Sequence, residues 1–314
     1  MNNLPKIIFC DLDGTLLDNE QKMPHPHLFN YLKIMKENKI VFIITTGRYL
    51  DEAMKIFNIL GSDSELMPYL ITSNGSQIYD TKNQKFLLNA HFSETTSQKF
   101  FQHSQELLKQ FNFCSLLVFR STENGGAVKA TPIIKNVISS LQHADSEDIA
   151  SEEKSHVFIN IDKKKQTLPH IVFENSINYT ESDYLTADNF QNLSKMVVLS
   201  FLDNSEELQT FIQNKYKFSD SDITFSSGHS FEISVFPYNK GHSAKTLCEL
   251  MKINISDAMV LGDSGNDISM LTSGAFSCSP DWANPIVQEA ATKIYSGVAS
   301  EWVLAAFADR FMTK

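Results

Sequence analysis

The chain is poor in the residues that would commit it to a disulfide scaffold, a metal ribbon or a membrane. Its 314 residues include four cysteines, Cys10, Cys114, Cys248 and Cys278, which are far apart and form no CxxC pair. That spacing argues against a zinc ribbon and a disulfide framework and predicts buried free thiols in a reducing compartment. No run approaches the ~18 apolar residues of a membrane-spanning helix. The first apolar run stops at Asp11, so a signal peptide is not expected either, and a cytoplasmic location is. A long basic block is missing and the formal net charge is -10, so no nucleic-acid surface is expected. None of the nine histidines forms a pair with helical ligand spacing, which weakens a zinc-hydrolase reading. The chain has no G-x-x-x-x-G-K-[ST], since Lys240 precedes Gly241, and no G-x-G-x-x-G. Walker-type ATPases and dinucleotide-binding proteins thereby lose their main support.

What is present is ordinary globular material, 42% hydrophobic and 20% charged, long enough for one large domain or two moderate ones. The opening third alternates strand and helix. Apolar runs over 7–10, 40–45 and 69–72 read as strands, and helical patterns cover 25–38 and 49–60. This alternation predicts parallel βαβ units. Near Asp80 the pattern changes. "QIYDTKNQKFLL" reads as a hairpin, and helices over 93–111 and 132–141 mix with the strands "LLVFR", "HVFINI" and "MVVLSFL". Near Phe231 the first pattern returns with the strand "FEISVFP" and a helix over 240–251. The strand of "AMVLGD", a helix opening over 266–271, the strands of "GAFSCS" and "TKIY" and a last helix over 300–311 complete it. The expected fold is therefore α/β. A parallel-sheet core is built from 1–80 and 228–314, with an α+β domain, 81–227, inserted between them.

In open parallel sheets ligands bind beyond the carboxyl ends of the strands. Four strand ends here carry polar, small or charged residues: Asp11-Leu12-Asp13-Gly14, Thr45-Thr46-Gly47-Arg48, Ser73-Asn74-Gly75 and Gly262 to Asp267. Their convergence carries more weight than any one of them. An EF-hand loop counted from Asp11 would need glycine sixth and glutamate twelfth, and Leu16 and Lys22 stand there instead. Thr45 to Gly47 could simply cap the following helix, and Gly262 to Asp267 could be a turn with an N-cap. Taken together the four ends suit phosphoryl transfer. A strand-end carboxylate such as Asp11 can act as nucleophile and form an aspartyl-phosphate. Its charge repels a phosphate, and a hard divalent cation relieves the repulsion. Asp11 and Asp263 are the natural carboxylate ligands, with the main-chain carbonyl of Asp13 as a further oxygen. The Asp13 side chain can protonate the leaving oxygen and later activate water. Thr46 and Lys240 can hold phosphate oxygens.

"DLDGTLLD", "ITTGR", "NKG" and "GDSGNDISML", in that order, resemble the four motifs of the haloacid dehalogenase-like superfamily. The likeness is greatest to its Cof-type phosphatases, which carry a large cap between the second and third motifs. The resemblance implies a Rossmann-like core with an inserted cap and a Mg²⁺-dependent phosphatase of small soluble phosphate esters, with no membrane partner. By position it implies Asp11 as nucleophile, Asp13 as acid/base, and Thr46, Gly47, Lys240 and Asn266 around the phosphate. Asp263 becomes a magnesium ligand, and Asp267 a ligand through water or a support behind the ligands. Asn74 and Arg48 line the site. The segment Ser279 to Trp282 departs from the usual tail, and Trp282 is expected to pack rather than touch the site. A phosphotransferase or mutase, or a non-catalytic binding protein on the same fold, are the alternatives, and sugar phosphates are favoured as substrates over phosphorylated cofactors.

Overall fold

The computed structural model describes residues 4–17, 23–111, 114–120, 130–132, 187–200, 206–227 and 230–312. They divide into two compact units, 1–90 with 237–314, and 91–236.

The first unit is organised by an eight-stranded sheet. Its strands are β1 (Ile7–Cys10), β2 (Val41–Thr45), β3 (Tyr69–Thr72), β4 (Gln77–Asp80), β5 (Lys85–Asn89), β11 (Ala258–Leu261), β12 (Phe276–Pro280) and β13 (Lys293–Tyr295). The spatial order is β13-β12-β11-β1-β2-β3-β4-β5. The six strands from β13 to β3 run parallel, and β4 and β5 close the edge antiparallel. β1 lies inside the sheet and is covered on both faces, which is why it is apolar at every position rather than alternating.

Alternation sorts its side chains between two cores. Ile8 and Cys10 pack with Leu28, Leu32 and Met35 of α1 (Leu28–Glu37), Ala53, Ile56 and Phe57 of α2 (Leu50–Ile59), and Trp302 and Phe307 of the C-terminal helix, Glu301–Met312. Ile7 and Phe9 face the other way, toward Ala244 and Leu247 on the helix Lys240–Leu250, Met270 on the helix Ile268–Leu271, and Val287 on the helix Pro285–Ala290. All four cysteines are free and buried, as their spacing predicts.

The second unit holds α3 (Glu94–Gln110), α4 (Glu206–Tyr216) and a five-stranded antiparallel sheet. The sheet's strands are β6 (Cys114–Arg120), β7 (Ala130–Pro132), β8 (Leu193–Ser200), β9 (Ser221–Ser227) and β10 (Ser230–Val235), ordered β7-β6-β8-β10-β9. Phe100 of α3 meets Tyr216 of α4 at 5.2 Å between ring centroids, inside a core that includes Leu107, Leu208 and Ile212. Asp220 ties the turn before β9 to the start of α3. It accepts from the backbone of Ser93 at 3.1 Å and from the hydroxyl of Thr96 at 2.7 Å.

The helices of the first unit after the insert are numbered α5 (Lys240–Leu250), α6 (Ile268–Leu271), α7 (Pro285–Ala290) and α8 (Glu301–Met312). Two sequence expectations shift at the seams. The hairpin β4–β5, read as the start of the insert, pairs onto β3 and belongs to the large sheet, because Ile71 of β3 has an open edge that Ile78 of β4 fills. The strand in "FEISVFP", read as the return of the core, lies between β8 and β9 in the small sheet. Both boundaries therefore fall further along the chain than expected. The expected helix over 132–141 and the strand "HVFINI" lie outside the described residues, apart from Pro132, which ends β7.

Candidate active site

Four adjacent strands, β11, β1, β2 and β3, end on one side of the large sheet, and their exits form the site. Asp11 continues β1 by one ladder bond, its N–H donating to the Leu261 carbonyl at 3.0 Å. Its carboxylate is thus fixed at the strand tip. Lys240 opens α5, whose start is capped by Asn239, with Oδ1 accepting from the His242 N–H at 2.8 Å. The cap sends the Lys240 side chain inward, where only 1% of it is exposed. Its ammonium donates to Asp11 Oδ1 at 2.6 Å and to Asp267 Oδ1 at 2.7 Å.

Asp267 is fully buried and both its oxygens are engaged. Oδ2 accepts from the N–H groups of Asp263 at 3.1 Å and Ser264 at 3.0 Å, which folds the 262–267 loop around it. Gly262 leaves room for this. A Cβ there would lie 2.5 Å from that of Asp267. Asp263 is held by Thr15, whose hydroxyl donates to Oδ1 at 2.7 Å. Burial pushes the Asp263 carboxyl up to about 7, with repulsion from Asp267 adding to it and the Thr15 hydrogen bond opposing it. Burial also raises Asp11 well above the usual carboxylate range. The attraction of Lys240 opposes this, and Asp267 and Asp263 reinforce it. For Lys240, burial disfavours the charge, but Asp11 and Asp267 outweigh it and hold the pKa above the ordinary lysine value.

Beyond β2 the chain turns tightly. The Thr46 N–H donates to the Ile71 carbonyl at 2.9 Å, and the Thr46 hydroxyl accepts from the Arg48 N–H at 3.1 Å. A hydroxyl that accepts in this way still has its own proton to donate. Arg48 reaches back to β1's exit and binds Asp13 with two parallel bonds, at 2.7 and 2.6 Å. Asn74, beyond β3, accepts from Asn266 Nδ2 at 3.0 Å.

The model of the haloacid dehalogenase-like hydrolases matches residues 8–305, which spans all four strand exits. The chain belongs to the haloacid dehalogenase-like hydrolases. It is similar to a putative phosphatase of Mycoplasma pneumoniae, 25% identical over 96% of this chain and 94% of that one. Phosphatase YwpJ of Bacillus subtilis is 23% identical, over 85% of this chain and 86% of its own. Among solved structures, the subclass IIB sugar phosphatase BT4131 shares the fold with a TM-score of 0.68 and 16% identity, covering 98% of this chain and 99% of that one.

In this hydrolase the tertiary structure brings Asp11, Asp263 and Asp267 into one cluster, each offering an oxygen within 4.8 Å of the others. The donors are all carboxylates, the ligand type that suits a hard divalent cation such as Mg²⁺. Three carboxylates crowd one ammonium, and burial and mutual repulsion raise the pKa values of Asp11 and Asp263, a cost that such a cation would relieve. The structure further places Asp13 with Arg48, Asn266 with Asn74, and Gly47 against the Asn74 carboxamide. Thr46 does not cap α2, whose N-cap is Tyr49. Trp282, expected to pack rather than touch the site, makes its hydrogen bond away from the four strand exits. It is 45% exposed on the turn after β12, with its indole N–H donating to the Gly297 carbonyl at 2.8 Å.

Several supporting residues of the hydrolase escaped the sequence reading. Thr15 stood inside the first motif without an assigned role. Ser300 and Trp302 donate to the carbonyls of Thr15 and Gly14 at 2.7 and 3.3 Å, so the start of α8 steadies the first motif's loop from the other end of the chain. Nothing local to these residues signals that contact.

Proposed function

We propose that this hydrolase is a magnesium-dependent phosphatase of a small phosphate monoester, working through a phosphorylated Asp11. The observation that carries the reading is the clustering of Asp11, Asp263 and Asp267 around Lys240, with Asp11, Asp267 and Lys240 buried and Asp263 partly so. Asp11 and Asp263 would hold the ion directly, with the Asp13 main-chain carbonyl as a third oxygen. Asp267, with both oxygens committed to Lys240 and to the backbone at Asp263 and Ser264, works behind the ligands. Bound there, magnesium supplies charge neutralisation between the carboxylates and the incoming phosphate.

The chain's own residues do the rest. Asp11 attacks the phosphorus through the oxygen not held by Lys240, forming a P–O bond to the enzyme as the ester P–O bond breaks. Asp13, protonated once one of its oxygens leaves the Arg48 fork, gives that proton to the departing alkoxide. The same carboxylate then removes a proton from the water that attacks the phosphoaspartate, releasing inorganic phosphate and free Asp11. The Thr46 hydroxyl, the Gly47 backbone, Lys240 and Asn266 hold the equatorial oxygens, where charge accumulates in a loose transition state. The unit over 91–236 is the source of leaving-group selectivity. A sugar phosphate is the favoured substrate class, supported by the name of the sugar phosphatase that shares the fold.

The test is phosphate release from p-nitrophenyl phosphate and a panel of sugar phosphates, with Mg²⁺ or EDTA, for wild type and Asp11→Asn. Release that needs Mg²⁺ and is lost in the variant is expected. A folded, Mg²⁺-supplied wild type silent on the whole panel, or an Asp11→Asn variant that keeps turning over, would sink the proposal.

A further inference from the structure

The three-residue turn after β3 holds together more of the site than its sequence suggests. Ser73 and Asn74 both lie in the left-handed region, at φ 50° and 55°, and Gly75 follows at φ 96°. Asparagine visits this region readily and serine less so, and the surroundings hold the turn in it. Here the surroundings are three other parts of the site. The Ser73 and Asn74 N–H groups donate to the carbonyls of Arg48 and Thr46, at 2.8 and 3.0 Å. Gly75 lies against the backbone of Asn239, where a Cβ would be 2.3 Å away, and its carbonyl accepts from the Ser243 hydroxyl of α5 at 2.6 Å. The buried Asn74 carboxamide does two things at once. Its Oδ1 accepts from Asn266 Nδ2 at 3.0 Å, and it sits where any Cβ on Gly47 would be, at 2.7 Å. Asn266 is held from its other end by the Ser264 hydroxyl, which donates to Oδ1 at 3.0 Å. One N–H of the Asn266 amide remains to meet a ligand.

We propose that Asn74 is a positioning residue for the phosphate subsite. Its carboxamide sets the Asn266 amide and the Thr46–Gly47 backbone at a fixed separation, so that both address the same anion. The inference rests on the reading of Thr46 and Asn266 as phosphate-binding groups. The turn itself needs no side chain, because glycine adopts positive φ freely. The carboxamide is needed for the link between two loops that are 192 residues apart in sequence.

That difference gives the test. Asn74→Gly keeps the turn and deletes the link, and Asn266→Ala deletes the partner while leaving the turn intact. Inorganic phosphate binding to the Mg²⁺-supplied protein, followed by calorimetry, gives a readout independent of turnover. Steady-state hydrolysis of p-nitrophenyl phosphate adds the split between KM and kcat. Each variant is expected to weaken phosphate binding and raise KM by about tenfold, the size of one hydrogen bond in a buried network, with the melting transition kept. The double variant should be no worse than the poorer single variant. Wild-type phosphate affinity in Asn74→Gly, or losses that multiply in the double variant, would overturn the link. Should Asn74→Gly melt early, Asn266→Ala with wild-type phosphate affinity would overturn it alone. A wild type that binds phosphate but releases none fails the catalytic proposal and leaves this measurement valid.

Discussion

Arg48 grips Asp13 with two parallel hydrogen bonds, Nε to Oδ2 at 2.7 Å and Nη2 to Oδ1 at 2.6 Å. The two residues exit neighbouring strands, β1 and β2, and the fork fixes the plane of the carboxylate as well as its position. The Asp13 side chain is 43% exposed, so the pair adds little to stability, on the order of 1 kcal/mol or less. Its value lies in orientation. Arg48→Lys cannot form the fork and Arg48→Met removes the charge. Both should melt within a few degrees of wild type yet lose about tenfold or more in kcat. The loss should be greater for alkyl phosphates, whose leaving group needs a proton, than for p-nitrophenyl phosphate, whose leaving group does not. Equal losses on both esters would show that Arg48 does not act through Asp13.

Lys240 is the single cation inside the carboxylate cluster among the described residues, and its side chain is 1% exposed. Lys240→Met would leave Asp11 and Asp267 buried without their partner, a change that costs about 3–5 kcal/mol. Urea denaturation in EDTA should show a midpoint lowered accordingly. A variant as stable as wild type would mean that the cluster takes up protons or opens to water when the ammonium is lost.

Gly14 has φ 80°, and a Cβ there would lie 2.5 Å from Asp263 Oδ2. Gly14→Ala therefore combines backbone strain of about 1–3 kcal/mol with displacement of the Asp263 carboxylate. If Asp263 holds the ion, EDTA should lower the wild-type melting temperature and Mg²⁺ restore it. Gly14→Ala should then need about tenfold more Mg²⁺ for the same recovery. A thermal-shift titration reads both, and an unchanged Mg²⁺ requirement in Gly14→Ala would count against Asp263 as a ligand.

Asp220 gives a pH dependence far from the catalytic cluster. Burial alone would raise its pKa, but the hydrogen bonds from Thr96 and Ser93 outweigh burial and lower it below the ordinary value. A lowered carboxylate pKa means that the folded state binds the proton less readily than the unfolded chain. The stabilisation is therefore full above the unfolded pKa of about 3.9 and is lost as the pH falls through the lower folded value. Asp220→Asn should reduce stability at neutral pH by on the order of 1 kcal/mol, given the partial exposure of the site. The gap between wild type and variant should close below about pH 4, as read from melting curves across the acid range. A gap that persists undiminished into acid would assign the effect to packing rather than charge.

The sequence by itself determined the strand exits and their chemistry. A fully buried parallel strand must be apolar throughout, so the point where Ile7 to Cys10 gives way to Asp11 marks both the end of β1 and a carboxylate at a sheet edge. The same reasoning located Thr46, Asn74 and Asp263, since each polar group lies within two residues of the end of an apolar strand. The tertiary structure decided which groups meet. Lys240 lies 229 residues from Asp11, and Arg48 lies 35 from Asp13. No local periodicity encodes such pairs, because they depend on strand order in the sheet and on where each helix starts. Membership of the two sheets was likewise settled in three dimensions. The hairpin β4–β5 and the strand β10 look alike in sequence, as short alternating runs beside turns. The hairpin joined the open edge of β3, and β10 filled the gap between β8 and β9, because a strand goes where its backbone groups find partners.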